Sequence, residues 1–280
     1  MKSIPVREQT KLWRLPKLGN LELMHATYLT QTFARHTHEG FAVGVIESGA
    51  LGFDYRGESL IASPGTINLA NPDEAHTGHA AAESGWTYRM FYLDAALLQQ
   101  AAAEIAGRSK SLPFFQSGVV HDDRLARMIH GLHAAMEQNE ASLLELESRF
   151  LNMLTALILR HADAPPVLQS AGREHTAVKR AKEFIEAYYN ENVSLAQLAN
   201  AACLSPFHFI RVFRKETGLT PHAYLNQARV RRARSLIAAG WAIAPAAYET
   251  GFADQSHLTR QFKCILGITP GQYSNFIQDR

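Results

Sequence analysis

Between Leu21 and Leu93 apolar and polar positions exchange every few residues, in short runs rich in Val, Ile, Phe, Tyr and Thr. The runs cover 21–30, 41–47, 50–55, 59–62, 66–69 and 86–93, and breaks such as Glu39-Gly40, Ser48-Gly49, Arg56-Gly57, Ser63-Pro64-Gly65 and Asn71-Pro72-Asp73 part them. Short strand-like runs punctuated by turn residues predict a small antiparallel barrel or sandwich. No helical pattern lies between the runs, so a parallel sheet, which needs crossover helices, does not fit.

After Asp94 the period changes. Ala-, Leu-, Gln- and Glu-rich segments predict helices over 95–106, 121–138 and 141–161. In the last of these Leu143, Leu146, Phe150, Leu154 and Leu157 recur at steps of three and four, which makes one apolar stripe. Either the barrel or the same helix of a second copy covers it. The run ADAPPVLQSAGREH then interrupts the helical pattern with Pro165, Pro166 and Gly172. The expected division is an α+β chain of two domains: 1–165, with a barrel over 1–93 and helices over 94–161; a linker over 166–175; and an all-α domain over 176–280.

The C-terminal part repeats itself at an offset of 49 residues. His208, Arg211, Phe213 and Arg214 fall on His257, Arg260, Phe262 and Lys263, and Gly218-Leu219-Thr220-Pro221 falls on Gly267-Ile268-Thr269-Pro270. Each copy reads as a short helix, a tight break and a longer helix, the pattern of a helix-turn-helix. Ser194 caps the first short helix, and Ser205-Pro206 starts the longer one, which stops at Gly218. In the second copy the short helix covers about 243–250, Gly251 makes the turn, and Asp254 caps a helix that stops at Gly267.

On the longer helices Phe209, Phe213, Leu258 and Phe262 face inward. His208, Arg211 and Arg214, like His257, Arg260 and Lys263, are placed on an outer face that fits a DNA major groove. Ser205 and Phe207 at the head of the first helix, and Asp254, Gln255 and Ser256 at the head of the second, complete the candidate DNA-binding set. The connector 221–239 reads as one helix of about 27 Å, near the spacing of successive major-groove faces, and its Arg229, Arg231, Arg232 and Arg234 bring positive charge. Arg231 and Arg232 are the candidate phosphate contacts of that cluster.

Charge supports this placement. Residues 1–170 hold 14 Lys and Arg against 18 Asp and Glu, whereas 171–280 hold 14 against 8, so a net +2 conceals an acidic half and a basic half. A 280-residue chain with 46% hydrophobic and 19% charged residues excludes extended disorder and fibrous designs. Met1 to Gln9 mixes charged residues and Pro with no apolar run behind it, and no stretch approaches the length of a membrane span. A cytoplasmic protein without membrane contact is expected. Cys203 and Cys264 are read as reduced core residues.

The run GFADQSHLTRQFKCILGITPGQY from Gly251 to Tyr273, with its weaker upstream copy and the arginine-bearing connector, closely resembles the DNA-binding domain of the AraC/XylS family of transcriptional regulators. The resemblance covers about 100 residues. It implies a seven-helix domain with two helix-turn-helix units, usually acting as an activator, with double-stranded DNA and RNA polymerase as partners and a homodimer as a possible assembly. Ala242-Ile243-Ala244-Pro245 departs from the pattern where the family places a capping Ser, which predicts a less well capped but intact helix.

In the N-terminal half, Arg35-His36-Thr37-His38 and the later Asn71-Pro72-Asp73-Glu74-Ala75-His76 stand out. Alternate residues of a strand share a face, so His36 and His38 point together and His76 is placed to join them. The stretch Tyr55 to Gly78 resembles the cupin-type sensory domain found at the N-terminus of AraC regulators. In metal-dependent cupins a Glu follows the paired His residues; here Phe41, Ala42 or Val43 stands in its place. No metal and no cofactor is therefore expected, and Arg35, His36, His38 and His76 are the candidate contacts to a small-molecule effector.

Three readings of the imidazoles stay open: a metal site, a metal-free effector pocket, or residues that hold the mouth of the barrel. No nucleophile elbow, phosphate loop or dinucleotide fingerprint occurs, and no catalytic residue is assigned. The expected function is effector-responsive transcription regulation without enzymatic activity. The alternatives are a constitutive DNA binder whose barrel only dimerises and a metal-dependent cupin enzyme fused to a DNA-binding domain.

Overall fold

The computed structural model describes residues 7–138, 141–167 and 174–278. Most of the expected linker, 168–173, and the first residues, 1–6, lie outside the described residues. The chain forms two compact units. One runs to Ala141 and resumes at Arg149; the other takes Ser142–Ser148 and the helices that follow Glu174.

The first unit is built from β1 (Gln9–Leu15), β2 (Leu21–Tyr28), β3 (Phe33–His36), β4 (Phe41–Gly49), β5 (Leu51–Tyr55), β6 (Glu58–Ala62), β7 (Ile67–Ala70), β8 (His76–Ala80), β9 (Trp86–Leu93), α1 (Ala95–Ala106), β10 (Val119–Val120), α2 (Asp123–Gln138) and, from Arg149 onward, α3 (Leu143–His161). The strands make two antiparallel sheets, one in the order β1-β2-β9-β4-β7-β10 and one in the order β3-β8-β5-β6. Ala42, Ile46, Phe53, Tyr55, Trp86, Tyr88 and Met90 from both sheets form one buried cluster, as expected for two sheets packed face to face. β4 and β9 are central and nearly continuously apolar because both faces are covered.

Four strands lie outside the apolar runs that mark the others. β1 is an exposed edge strand, QTKLWRL, in which charged residues break the apolar run. β3 and β8, FARH and HTGHA, are short and polar; β3 is fixed by its pairing to β8, and β8 by its pairing to β3 and β5. Val119 and Val120 pair with Asn68 and Ile67, which extends the barrel past the expected limit of residue 93. On α3, Phe150, Leu154 and Leu157 are buried within the chain, and the Phe150 ring lies 6.3 Å from Phe91 of β9. Intramolecular packing therefore covers that part of the stripe, and a second copy is not needed for it.

The second unit holds α4 (His175–Ala187), α5 (Leu195–Ala202), α6 (Pro206–Thr217), α7 (Pro221–Ala238), α8 (Ile243–Glu249), α9 (Gln255–Leu266) and α10 (Pro270–Gln278). The sequence repeat reappears as repeated geometry. Gly218 and Gly267 each take a left-handed conformation and donate their N–H to the carbonyls of Arg214 and Lys263 at 2.9 Å. The ring of Phe213 lies 5.6 Å from Tyr224, and that of Phe262 lies 5.7 Å from Tyr273. Cys203 and Cys264 are exposed, not core: Cys203 closes α5 in a left-handed conformation, and Cys264 sits on the solvent face of α9.

Candidate nucleic-acid interface and barrel cavity

Local chemistry positions the two longer helices. The Ser205 hydroxyl accepts from the His208 N–H at 3.4 Å with Pro206 opening the helix, and the Asp254 carboxylate accepts from the His257 N–H at 2.7 Å. Both side chains are thus occupied as caps. α9 presents Gln255, Ser256, Arg260 and Lys263 to solvent, and residues 256, 260 and 263 lie on one helical face. His257 is half-buried, its ring edge-on to Phe252 at 5.1 Å. Burial first, and then the charges of Arg260 and Arg229, lower its pKa and keep the imidazole neutral.

The first copy is more closed. Arg214 is exposed, but Arg211 is half-buried and burial lowers its pKa. His208 is only 13% exposed, and its Nε2 lies 2.7 Å from Glu174 Oε1. A second histidine–carboxylate contact, His175 with Glu216 at 2.7 Å, also ties the start of α4 to α6. Phe207 is a correction to the sequence reading: it is 6% exposed, and its position directly after Pro206 turns it into the core with Phe209 and Ile210 rather than toward a duplex.

The connector arginines divide by burial. Arg231 and Arg232 are half-exposed, yet both guanidinium groups pair with Glu186 of α4, and Arg232 lies 5.3 Å from the Tyr189 ring centroid. Arg229, counted by the sequence among the cationic residues of the connector, is instead buried. Its Nε donates to the Tyr189 carbonyl at 2.6 Å and its NH2 group to the Glu191 carbonyl at 2.8 Å. The guanidinium also lies 5.9 Å from the Phe252 ring, so one side chain touches the loop before α5 and the turn before α9. Burial lowers its pKa to about 10, which still leaves it charged.

In the first unit the two sheets enclose a cavity of about 140 Å³. His36, His38 and His76 line it together, with ring centroids 4.4 to 5.0 Å apart. The rest of the wall is mostly apolar and aromatic, including Phe33, Phe53, Trp86, Tyr88 and Tyr92. Burial, followed by the neighbouring imidazoles, lowers the pKa of His38 to about 4; burial also lowers that of His76, against a hydrogen bond to the Glu74 carbonyl that raises it. Burial raises the phenols of Tyr88 and Tyr92, so both stay protonated. Two lining residues carry buried polar atoms with no hydrogen-bond partner among the described residues, Trp86 Nε1 and Asn68 Oδ1.

Arg35 is a second correction. It is exposed and does not line the cavity. Strict alternation would put Phe33 and Arg35 on one face, but the β3–β8 register shifts between Phe33 and His36, so Phe33 and His36 both face in. Arg35 is left pointing out.

Residues 18–154 match the model of the AraC-like ligand binding domain, and residues 198–275 match a helix-turn-helix domain. The chain is 31% identical over 253 residues to the uncharacterized HTH-type transcriptional regulator YbfI of Bacillus subtilis (strain 168), which covers 90% of this chain and 91% of that protein. The chain belongs to the AraC family of transcriptional regulators. Another AraC-family similarity is to the HTH-type transcriptional activator RhaS of Escherichia coli O127:H6, at 25% identity over 267 residues, 90% of this chain and 91% of that one. Among solved structures, ToxT from Vibrio cholerae O395 aligns over 96% of this chain and 98% of its own at 13% identity, with a TM-score of 0.37.

This AraC-family regulator thus combines a DNA-binding helix-turn-helix unit with a ligand-binding domain. Among the described residues, no helix is long and apolar enough to cross a membrane.

Proposed function

We propose that this AraC-family regulator is an effector-responsive activator without enzymatic activity, working in the cytoplasm. Residues 1–165 take up a small molecule, and residues 176–280 hold promoter DNA. The cavity carries this reading. At about 140 Å³ it is close to the size of an apolar protein cavity that accepts benzene, so the effector is a compact molecule of roughly six to eight heavy atoms. Trp86 Nε1 offers it a donor and Asn68 Oδ1 an acceptor, and a buried polar atom left unpaired costs free energy that such a ligand recovers.

On the DNA side, α9 enters a major groove with Gln255, Ser256, His257, Arg260 and Lys263. α6 contributes Arg211 and Arg214, with His208 braced by Glu174 behind them. Ser205 and Asp254 act through the helix starts they cap, and Arg231 and Arg232 meet phosphates from the connector. Effector binding changes how the protein meets RNA polymerase or a second copy of itself. The test is DNA selected by the full-length protein, followed by anisotropy titrations and thermal scans with a panel of small aromatic and polyol metabolites. A compound that raises the melting temperature and changes operator affinity or promoter output supports the proposal. Operator affinity that no compound alters, with no thermal shift, leaves a constitutive DNA binder.

A further inference from the structure

We propose that His36, His38 and His76 together bind one divalent transition-metal ion, with zinc the best match to the donor set. Each residue offers a ligand nitrogen, and the three nitrogens lie within 4.8 Å of one another. The three come from different places in the chain, His36 at the end of β3, His38 just beyond it and His76 at the start of β8, and the pairing of His36 with His76 brings them together.

The second observation is the tautomer. His36 Nδ1 lies 2.8 Å from the Ala34 carbonyl and His76 Nδ1 lies 3.0 Å from the Glu74 carbonyl. A carbonyl oxygen only accepts, so in the neutral ring each Nδ1 carries the proton and each Nε2 is left as a bare lone pair. Histidines that ligate metals are held in this way, the remote N–H donating to a backbone carbonyl or carboxylate that fixes the ring.

The donor set also selects the ion. Imidazoles suit zinc, copper, iron and nickel, whereas magnesium and calcium require oxygen ligands. With zinc–nitrogen bonds of about 2.1 Å, tetrahedral geometry sets the three nitrogens roughly 3.4 Å apart, so binding draws the rings closer together. Among the described residues no carboxylate or thiol joins the three. Three protein ligands leave one position of a tetrahedral site for a water or for an oxygen of a molecule in the cavity, which all three histidines line. This departs from the metal-free expectation drawn from the missing Glu. The proposal does not depend on the activator reading, because a bound ion requires neither DNA nor effector.

The test uses tag-free full-length protein stripped with a chelator, dialysed and titrated with cobalt(II), with zinc as competitor. One cobalt per chain, with the visible bands of a four-coordinate ion that zinc displaces, is expected. His76→Ala is expected to weaken binding by at least about 100-fold, while Arg35→Ala, outside the cavity, leaves it unchanged. Circular dichroism establishes that each variant is folded, and His38→Gln replaces His76→Ala if the latter fails to fold. Wild-type protein that takes up no stoichiometric cobalt or zinc overturns the proposal, as does a folded histidine variant that binds like Arg35→Ala.

Discussion

Arg229 is buried with its guanidinium donating to the carbonyls of Tyr189 and Glu191, whereas Arg260 lies on the exposed face of α9. Arg232 is intermediate, half-exposed and drawn toward Glu186 and the Tyr189 ring. Chain position did not separate these roles; burial does. A groove-facing arginine reads bases, and a paired one at the flank of the domain adds only attraction to phosphate. Arg260→Ala should therefore weaken binding to a selected operator by about 1–3 kcal/mol and blur the preference at one base pair. Arg232→Ala should weaken selected and random DNA alike and lower the salt dependence, with Glu186 blunting the loss. Anisotropy titrations against both DNAs at several salt concentrations check this, and equal losses on both DNAs for Arg260→Ala would contradict base reading by α9.

Among the helices, α8 starts at Ala242, which has extended backbone angles but no side chain to cap with, while α5 has a full capping box between Ser194 and Gln197. A Ser at a cap usually accepts from the third helical N–H, and here the third residue is Pro245, which has none. The second residue, Ala244, still offers a donor, just as Ala96 donates to Asp94 at the start of α1. Ala242→Asp should accordingly stabilise the protein by about 0.5–1 kcal/mol, and Ala242→Ser by less, as read by thermal melting.

The turn after α8 is far less tolerant. Gly251 has φ +81°, and a Cβ there would lie 2.7 Å from the Asn190 carbonyl oxygen. Gly251→Ala should cost at least about 1–3 kcal/mol in urea unfolding. The duplicated run made such features legible, because caps and stops that recur at matching positions fix the bounds of α5 to α9. What stayed hidden needed long-range placement. β3 and β8 are set by each other, the bulge that turns Arg35 out is a property of that pairing, and the contacts of Glu174 and Glu186 depend on where α4 lies. Phe207 was grouped with Ser205 at the head of the first longer helix, and its burial shows only in the packed domain.

At the scale of the whole molecule, the first unit carries an acid-sensitive network behind its six-stranded sheet. His133 of α2 is fully buried; its Nδ1 accepts from Arg89 at 3.2 Å, its Nε2 donates to the Met90 carbonyl at 3.2 Å, and the rings of Trp13 and Phe91 stand edge-on at 5.1 Å. Arg89 from β9, His25 from β2 and Glu137 from α2 are the titratable and charged groups that face it, and Glu47, His130 and Lys11 complete the network. Burial first, and the charge of Arg89 next, push the imidazole down to about 3.

The folded state thus favours neutral His133, so its contribution is complete above the ordinary value of 6.5 and is lost as pH falls toward 3, because the unfolded chain takes up a proton that the folded one refuses. Burial would raise Glu137, but hydrogen bonds from Arg89 and Lys11 hold it at about 2, so its own loss begins only below its ordinary 4.5. Between pH 6.5 and 4.5, before Glu137 begins to contribute, the loss from His133 proceeds at a slope of about 1.4 kcal/mol per pH unit. His133→Gln keeps a donor for the Met90 carbonyl but cannot titrate. It should be less stable than the parent at pH 6.5, yet lose stability more slowly by about that slope as the pH is lowered, while His38 and His76 act equally in both proteins. Urea unfolding followed by the fluorescence of Trp13 and Trp86, in a Trp241→Phe background so that only the first unit reports, measures the difference. Parallel pH profiles for parent and variant would remove His133 as the source of the acid sensitivity.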